Sequence, residues 1–323
     1  MEVFSYLILL LSFSQVIDCN VIHDTPRDSL PRHPFLPKHA KPIQKKQETL
    51  ITPQVTDVEL NEFFHKLFKH DYNPYKAYKI NLYKKLGEKF FDVKSEILMT
   101  PRNQLFFSIH ENFKLLESNA SSNISNQLQI EQNLLINMFL DNTTAALSTA
   151  MNFLASKGFL KNDTNEYRRY LHKLWFESYS RPNNYIPGST GFEAIFVNNR
   201  NGGPCNWIYV ARMEKQKKVQ LQNATRIAIF ETRRGQTISI VYFGNLMFND
   251  SQIKNKYIFL GTSPELEMAL YTVCFYARRN DDCSFSFGNV KFIIRITEQE
   301  NCQKEAMVGA DLSIIVEKKG NGY

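Results

Sequence analysis

"GTSPELEMALYTVCF", residues 261–275, decides how this chain is read. Ser263 offers an N-cap hydroxyl, and Pro264 takes the first helical position, where its missing N–H costs nothing. Glu265 puts an acid in the first turn, and Leu266, Ala269, Leu270, Val273 and Cys274 then share one helical face. The stretch is a helix set among strands. "TRIAIFET" (225–232), "QTISIVYF" (236–243), "VKFIIRI" (290–296) and "DLSIIVEK" (311–318) alternate or are β-branched over strand length. "EAIFVNN" (193–199) and "NWIYVARM" (206–213) read the same way, as two strands joined through glycines.

Toward the N-terminus the character changes at "RPNNYIPGSTG" (181–191), a loop dense in turn formers. Before it the periodicity is helical. Thr56 and Glu59 form a capping box, after which Leu60, Phe63, Phe64, Leu67 and Phe68 recur at helical spacing. A second helix is predicted over 127–139, with Leu128, Leu134, Leu135, Met138 and Phe139 as its stripe. A third runs over 143–157 and stops at Gly158, and a fourth starts near Asp163 and carries Tyr167, Tyr170, Leu171, Leu174 and Trp175. Helices first and a mainly antiparallel β half afterwards predict an α+β chain, with a helical lobe over 56–181 and a β-rich lobe over 182–318.

Two segments precede that domain. "YLILLLSFSQVIDCN" (6–20) has the length and apolarity of a secretory signal, so 1–19 is expected to be a signal peptide and the protein secreted, with no membrane span after it. Residues 20–55 hold six prolines, and over 20–50 six Lys/Arg stand against three acids, which reads as an extended basic tail. Asn119, Asn123, Asn142, Asn162, Asn223 and Asn249 each open an N-glycosylation acceptor, in keeping with an extracellular setting. Of the five cysteines, Cys19 lies at the cleavage point. Cys283 and Cys302 sit in loop-like surroundings and are the expected disulfide, with Cys274 a buried free thiol on its helix. No Cys-x-x-Cys spacing points to structural zinc.

The 25 Phe and 15 Tyr exclude a disordered chain. A formal charge of +7 suits an anionic partner such as RNA, or serves solubility alone.

Four blocks in this order, "LHKLWFESYSR" (171–181), "GSTGFEAIFV" (188–197), "NWI" (206–208) and "GTSPELEMALYTVCF" (261–275), resemble the EndoU family of secreted endoribonucleases, and "DYNPYKAYKINLYKK" (71–85) resembles the family's opening helix junction. The likeness covers about residues 57–318. It implies manganese-aided cleavage of single-stranded RNA at uridines, leaving a 2′,3′-cyclic phosphate, by two histidines and a lysine. The chemistry needs a base for the 2′-hydroxyl proton, an acid for the leaving 5′-oxygen and a cation for the phosphate. Histidine suits both proton transfers because it titrates near neutrality.

This chain departs from that pattern where the chemistry sits. The family's Gly-Phe-Glu-His is here Gly191-Phe192-Glu193-Ala194, and the histidine before Asn-Trp is Cys205. The family's Gly-Thr/Ser-Ala-Tyr-Pro run matches Gly309-Ala310-Asp311-Leu312-Ser313, so Ala310 replaces a hydroxyl and Leu312 a tyrosine. The family's lysine is matched by Lys254, the one catalytic candidate retained, although a one-residue gap makes Lys256 nearly as good a match. All seven histidines, His23, His33, His39, His65, His70, His110 and His172, precede the β half. Each lost proton-transfer group removes about 10²–10⁴ in rate. Glu193, Arg212, Lys215 and Lys256 are the candidates for RNA contact, with Lys217, Lys218, Arg233 and Arg234 adding basic charge. No acidic cluster with ligand spacing is visible, and Asn199 stands where the family has an acid, so no cofactor is expected and the implied Mn²⁺ finds no evident ligands. Three readings stay open: a secreted, catalytically dead relative that binds single-stranded RNA or a protein partner, an active uridine-specific nuclease with displaced groups, and an extracellular binding protein with no nucleic-acid role.

Overall fold

The structure is a computed structural model that describes residues 54–71, 78–81, 88–118, 122–141, 145–178, 190–197, 206–231, 237–248, 251–279, 281–301 and 304–316. The chain divides into two units, Met1–Leu50 and Ile51–Tyr323, and every described residue lies in the second. The signal and nearly all of the tail, together with Cys205, Cys302, Asn119, Asn142 and Asn249, fall outside the described residues.

The helical half opens with α1 (Asp57–His70), whose capping box is formed: the Glu59 amide donates to Thr56 Oγ1 at 3.2 Å and the Thr56 amide to Glu59 Oε2 at 2.9 Å. A short antiparallel pair follows, β1 (Tyr78–Ile80) with β2 (Phe91–Val93). Then come α2 (Ser95–Leu98), α3 (Pro101–Ser118), α4 (Ser122–Leu140), α5 (Ala146–Ser156) and α6 (Thr164–Phe176). The predicted helices at 127–139 and 143–157 are α4 and α5 with shifted ends. Gly158 takes φ +82° just beyond α5, where its N–H reaches the Ala155 carbonyl, and Asp163 caps α6 through the amides of Asn165 and Glu166.

Two predicted strands are helical. Glu193–Val197 forms a π-helical turn and Trp207–Lys215 forms α7. Phe192, Ile195 and Phe196 are spaced i, i+3, i+4 and enter one aromatic cluster. Phe192 meets Phe106 at 5.4 Å and Phe176 at 5.3 Å, and Phe196 stacks on Trp175 at 5.5 Å. Tertiary burial of this spacing overrides the β-branched propensity. Helix α7 begins at Asn206, whose side chain accepts from the amides of Ile208 and Tyr209. Its residues 207–211, 213 and 214 are all buried, so it shows no polar face to give a helical period away.

The β half holds two antiparallel three-stranded sheets: β3 (Val219–Glu231), β4 (Thr237–Phe248) and β5 (Ser251–Leu260), then β6 (Cys283–Phe287), β7 (Val290–Asn301) and β8 (Lys304–Val316). Between them α8 (Pro264–Ala277) is buried from Pro264 to Phe275. Ser263 caps it by accepting from the Leu266 amide, and Trp175 Nε1 donates to Thr272 Oγ1 at 3.0 Å, tying α6 to its middle. One apolar core runs from α1 through α8 to both sheets. Phe63 stacks on Phe153 of α5 at 3.9 Å, and Phe64 packs on Phe285 of β6 at 4.6 Å.

The disulfide differs from expectation. Cys274, predicted free, is bonded to Cys283, with Cα atoms 5.4 Å apart. The chain turns back after α8 and lays the start of β6 over the helix's last turn. The expected Cys283–Cys302 pairing is overturned because the Cys283 sulfur is already bonded to Cys274, and Cys302 lies outside the described residues. Among the described residues no helix is long and apolar enough to cross a membrane.

Candidate functional site

A crease across the first sheet decides which lysine turns inward. On β5, Ile253 is buried, Lys254 and Asn255 are exposed, and Lys256 and Ile258 are buried, so the inward positions change parity between 253 and 256. Asn255 causes the switch: its φ of 57° is left-handed, which asparagine tolerates. Asn223 on β3 has φ 53°, and the register places Gly244 of β4 between the two asparagines. On β4 the inward set changes from Leu246 to Phe243 and Val241 at the same line. A Cβ on Gly244 would stand 3.0 Å from the Asn223 Cβ, so any larger residue there must push the crease apart by a few tenths of an ångström.

Lys254 therefore faces solvent, while Lys256 points to the neighbouring sheet. Its Nζ lies 3.3 Å from Asp311 Oδ1 of β8, with the lysine side chain 4% exposed and the aspartate 67%. A buried ammonium without a counter-charge costs several kcal/mol, and this pairing supplies one to Lys256. Strand β8 alternates here. Ala310 and Leu312 are buried beside Ile296 and Ile294 of β7, and only Asp311 between them faces out. The structure thus brings Lys256 and Asp311 together and sends Ala310 and Leu312 into the core.

The π turn packs against β8 as well. A Cβ on Gly191 would meet the Leu174 carbonyl oxygen at 2.5 Å and the Met307 carbonyl oxygen at 3.5 Å, so only glycine lets the turn approach α6 and β8 this closely. Thr190 starts the turn: its hydroxyl accepts from the Glu193 amide at 3.1 Å and its carbonyl from the Ala194 amide at 2.9 Å. Glu193 is buried, and Ala194 presents a half-buried methyl group.

Residue 205 is undescribed, but its neighbour is firmly placed. Asn206 is fully buried, and its amide nitrogen donates to Glu267 Oε1 at 3.1 Å, which also accepts from Thr262 Oγ1 at 2.7 Å. Trp207 Nε1 donates to the Thr262 carbonyl at 2.7 Å. Burial pushes the Glu267 carboxyl well above its ordinary range, reinforced by Asp71, and its Oε2 has no hydrogen-bond partner. Burial likewise raises Asp71 to about 7, against its bonds from Ser263. Glu265 is raised by burial too, with Arg102 bound to it as the opposing influence.

The other basic candidates belong to α7 and its surroundings. Arg212 is ion-paired to Glu111 at 2.6 Å and lies 4.3 Å over the Phe107 ring, while Lys215 donates to Ser95 Oγ at 2.8 Å. Lys215, Lys217 and Lys218 are exposed. The candidates for RNA contact thus lie on the π turn (Glu193), on α7 (Arg212 and Lys215) and on β5 (Lys256).

The described imidazoles serve the scaffold. His110 is buried with Nδ1 2.7 Å from the Phe106 carbonyl and Nε2 2.9 Å from the Phe196 carbonyl, stacked on Tyr209 at 4.2 Å. His65 on α1 is half-buried with Nε2 2.8 Å from the Ser286 carbonyl. Burial lowers the pKa of His172 on α6, against the pull of Glu177. Among the described residues no three His, Cys, Asp or Glu side chains are placed to hold a metal ion, so they give the implied manganese no donor set. Of the glycosylation acceptors, Asn162 and Asn223 are exposed, and Asn162 accepts from the Tyr167 hydroxyl. Asn123 lies in α4 with its side chain undescribed.

Comparison with known proteins agrees with these blocks. A family model described as Endoribonuclease XendoU matches residues 59–310. Uridylate-specific endoribonuclease B of Danio rerio is 30% identical over 46% of this chain, a match spanning 55% of that relative. Uridylate-specific endoribonuclease EndoU of Drosophila melanogaster is 25% identical over 79% of this chain and 80% of its own length. Poly(U)-specific endoribonuclease-B of Xenopus laevis is 27% identical over 68% of this chain and 82% of its own. A solved structure, of XendoU, described as a splicing-independent snoRNA processing endoribonuclease, superposes with TM-score 0.65 at 22% identity, covering 80% of this chain and 97% of that one.

Proposed function

This chain belongs to the XendoU endoribonuclease family, and from that premise we propose that it is a non-cleaving member, an extracellular protein that holds single-stranded RNA without cutting it. The observation that carries the reading is the turn packed on β8: position 194 bears a methyl group where proton transfer needs a titrating ring. Supporting it, the bonded imidazoles of His65 and His110 are committed to carbonyls of the scaffold, and no histidine follows His172 in the sequence. Loss of one proton-transfer group costs about 10²–10⁴ in rate, and loss of two costs at least that much.

RNA is the partner that the charge favours. The net +7 is accompanied by exposed Lys215, the last residue of α7, and by exposed Lys217 and Lys218 just after it. The Cys274–Cys283 bridge supports an oxidising, extracellular setting. The test is fluorescence anisotropy of a labelled oligouridylate across a salt series. Three engaged lysines give a log–log slope of roughly −2 for a single strand. Reversing Lys217 and Lys218 to glutamate is expected to remove most of the binding. Binding that ignores salt, or none at low salt, overturns the RNA reading in favour of a protein partner.

A further inference from the structure

We propose that Asp311 is a built-in competitor for phosphate, its carboxylate occupying the place beside Lys256 that an anionic oxygen of a ligand would take. The inference rests on the reading of this chain as an RNA-holding protein, but it is carried by its own geometry. Lys256 is turned inward by the crease at Asn255, and its ammonium lies 3.3 Å from Asp311 Oδ1. The two partners are unequal. The lysine side chain is 4% exposed and the aspartate 67%.

That inequality decides the energetics of exchange. The buried ammonium requires a counter-charge, whereas an exposed carboxylate gains little from an ion pair. Returning Asp311 to water while another anion takes its place therefore leaves the cost of burying Lys256 covered. A second cation is close. Arg295 of β7 is the Cα partner of Asp311 and feels its charge, although its guanidinium is already held by Asp282 at 2.6 and 3.0 Å. An ammonium offers three donors to any oxygen in reach, and phosphate presents the same kind of acceptor as a carboxylate. Asp311 sits on a strand whose adjacent residues, Ala310 and Leu312, are buried, so its backbone is fixed beside Lys256 and exchange needs only a turn of its exposed side chain.

Two ligand sources share this chemistry, free phosphate and a nucleotide phosphate, and the test separates them. Calorimetry at low salt compares the whole protein with its Asp311→Ala, Asp311→Asn and Lys256→Met variants and with Asp311→Ala/Lys256→Met. The probes are inorganic phosphate and uridine 3′-monophosphate. Either Asp311 variant is expected to bind uridine 3′-monophosphate about tenfold or more tightly than wild type. The added Lys256→Met change is expected to erase that gain. Equal gains for both probes assign the site to phosphate alone, and a larger gain for the nucleotide assigns it to RNA. Asp311→Asn preserves shape, so it decides the matter where Asp311→Ala melts early. The proposal is overturned when the folded Asp311→Asn protein binds neither probe better than wild type, or when the gain survives loss of Lys256. Oligouridylate binding by the wild type reads the α7 lysines instead, so failure there sinks the RNA reading and leaves the competitor measurable.

Discussion

Replacing Asp71 by asparagine isolates the proton linkage stored at the N-terminus of α8. Asp71 is buried, and its two oxygens accept from the Ser263 hydroxyl and, at 3.1 Å, from the Ser263 amide, so it holds the cap of a fully buried helix. Glu265, Glu267 and Arg102 are the charged groups that act with it. Its folded pKa stands at about 7, raised by burial, against about 3.9 in an unfolded chain. A raised carboxyl pKa means that the folded state binds the proton more tightly. Stability from this group is complete below about pH 4 and is lost as pH rises through about 7. Integrated from about pH 8 to about pH 5, acidification adds roughly 2.5 kcal/mol through Asp71 alone. Urea unfolding followed by the fluorescence of buried Trp175 and Trp207 measures it at several pH values. Other groups titrate in the same range, so the informative quantity is the difference between wild type and Asp71→Asn. That difference is expected to move in favour of the variant by roughly 2.5 kcal/mol from pH 5 to pH 8. Parallel pH profiles for the two proteins refute the argument.

Gly191→Ala drives a methyl group to 2.5 Å from a backbone oxygen that cannot turn aside, and thermal unfolding is expected to show a loss of about 1–3 kcal/mol. Glu267→Gln, which keeps the side chain's size and an oxygen acceptor for Asn206 and Thr262, is expected to lose less stability in urea unfolding than Glu267→Ala. Glu267→Ala strands the buried Asn206 amide and Thr262 hydroxyl and is expected to cost about 3 kcal/mol or more. Peptide mapping without reduction is expected to recover Cys274 linked to Cys283, and Cys274→Ser to lower stability by about 2–3 kcal/mol through loss of a short loop closure. A fragment linking Cys283 to Cys302 contradicts that pairing.

What the sequence disclosed and what it hid divide along physical lines. Local signals were legible. The Thr56–Glu59 box, the Asp163 cap, Gly158 beyond α5 and the Ser263-Pro264 start of α8 all act within one turn, and all four are formed. Burial on every side erased the period of α7, although Asn206 before Trp207 was a usable cap signal. The π turn was hidden behind β-branched letters, while the i, i+3, i+4 spacing of Phe192, Ile195 and Phe196 pointed to a helix. The crease at Asn223, Gly244 and Asn255 has no signature within one strand, because it exists only once three strands are in register. That is why the sequence left Lys254 and Lys256 open, and why the pairing of Lys256 with Asp311 was out of reach. The disulfide was misplaced for a related reason: spacing along a chain does not show that it folds back after α8 to lay Cys283 against Cys274.

A single-turnover incubation of the purified protein with an end-labelled, uridine-containing oligonucleotide and Mn²⁺, beside an active relative, decides whether the protein cuts RNA. The strand is expected to stay intact while anisotropy shows it bound. A fragment ending in a 2′,3′-cyclic phosphate, formed by the protein and abolished by Lys256→Met, contradicts it.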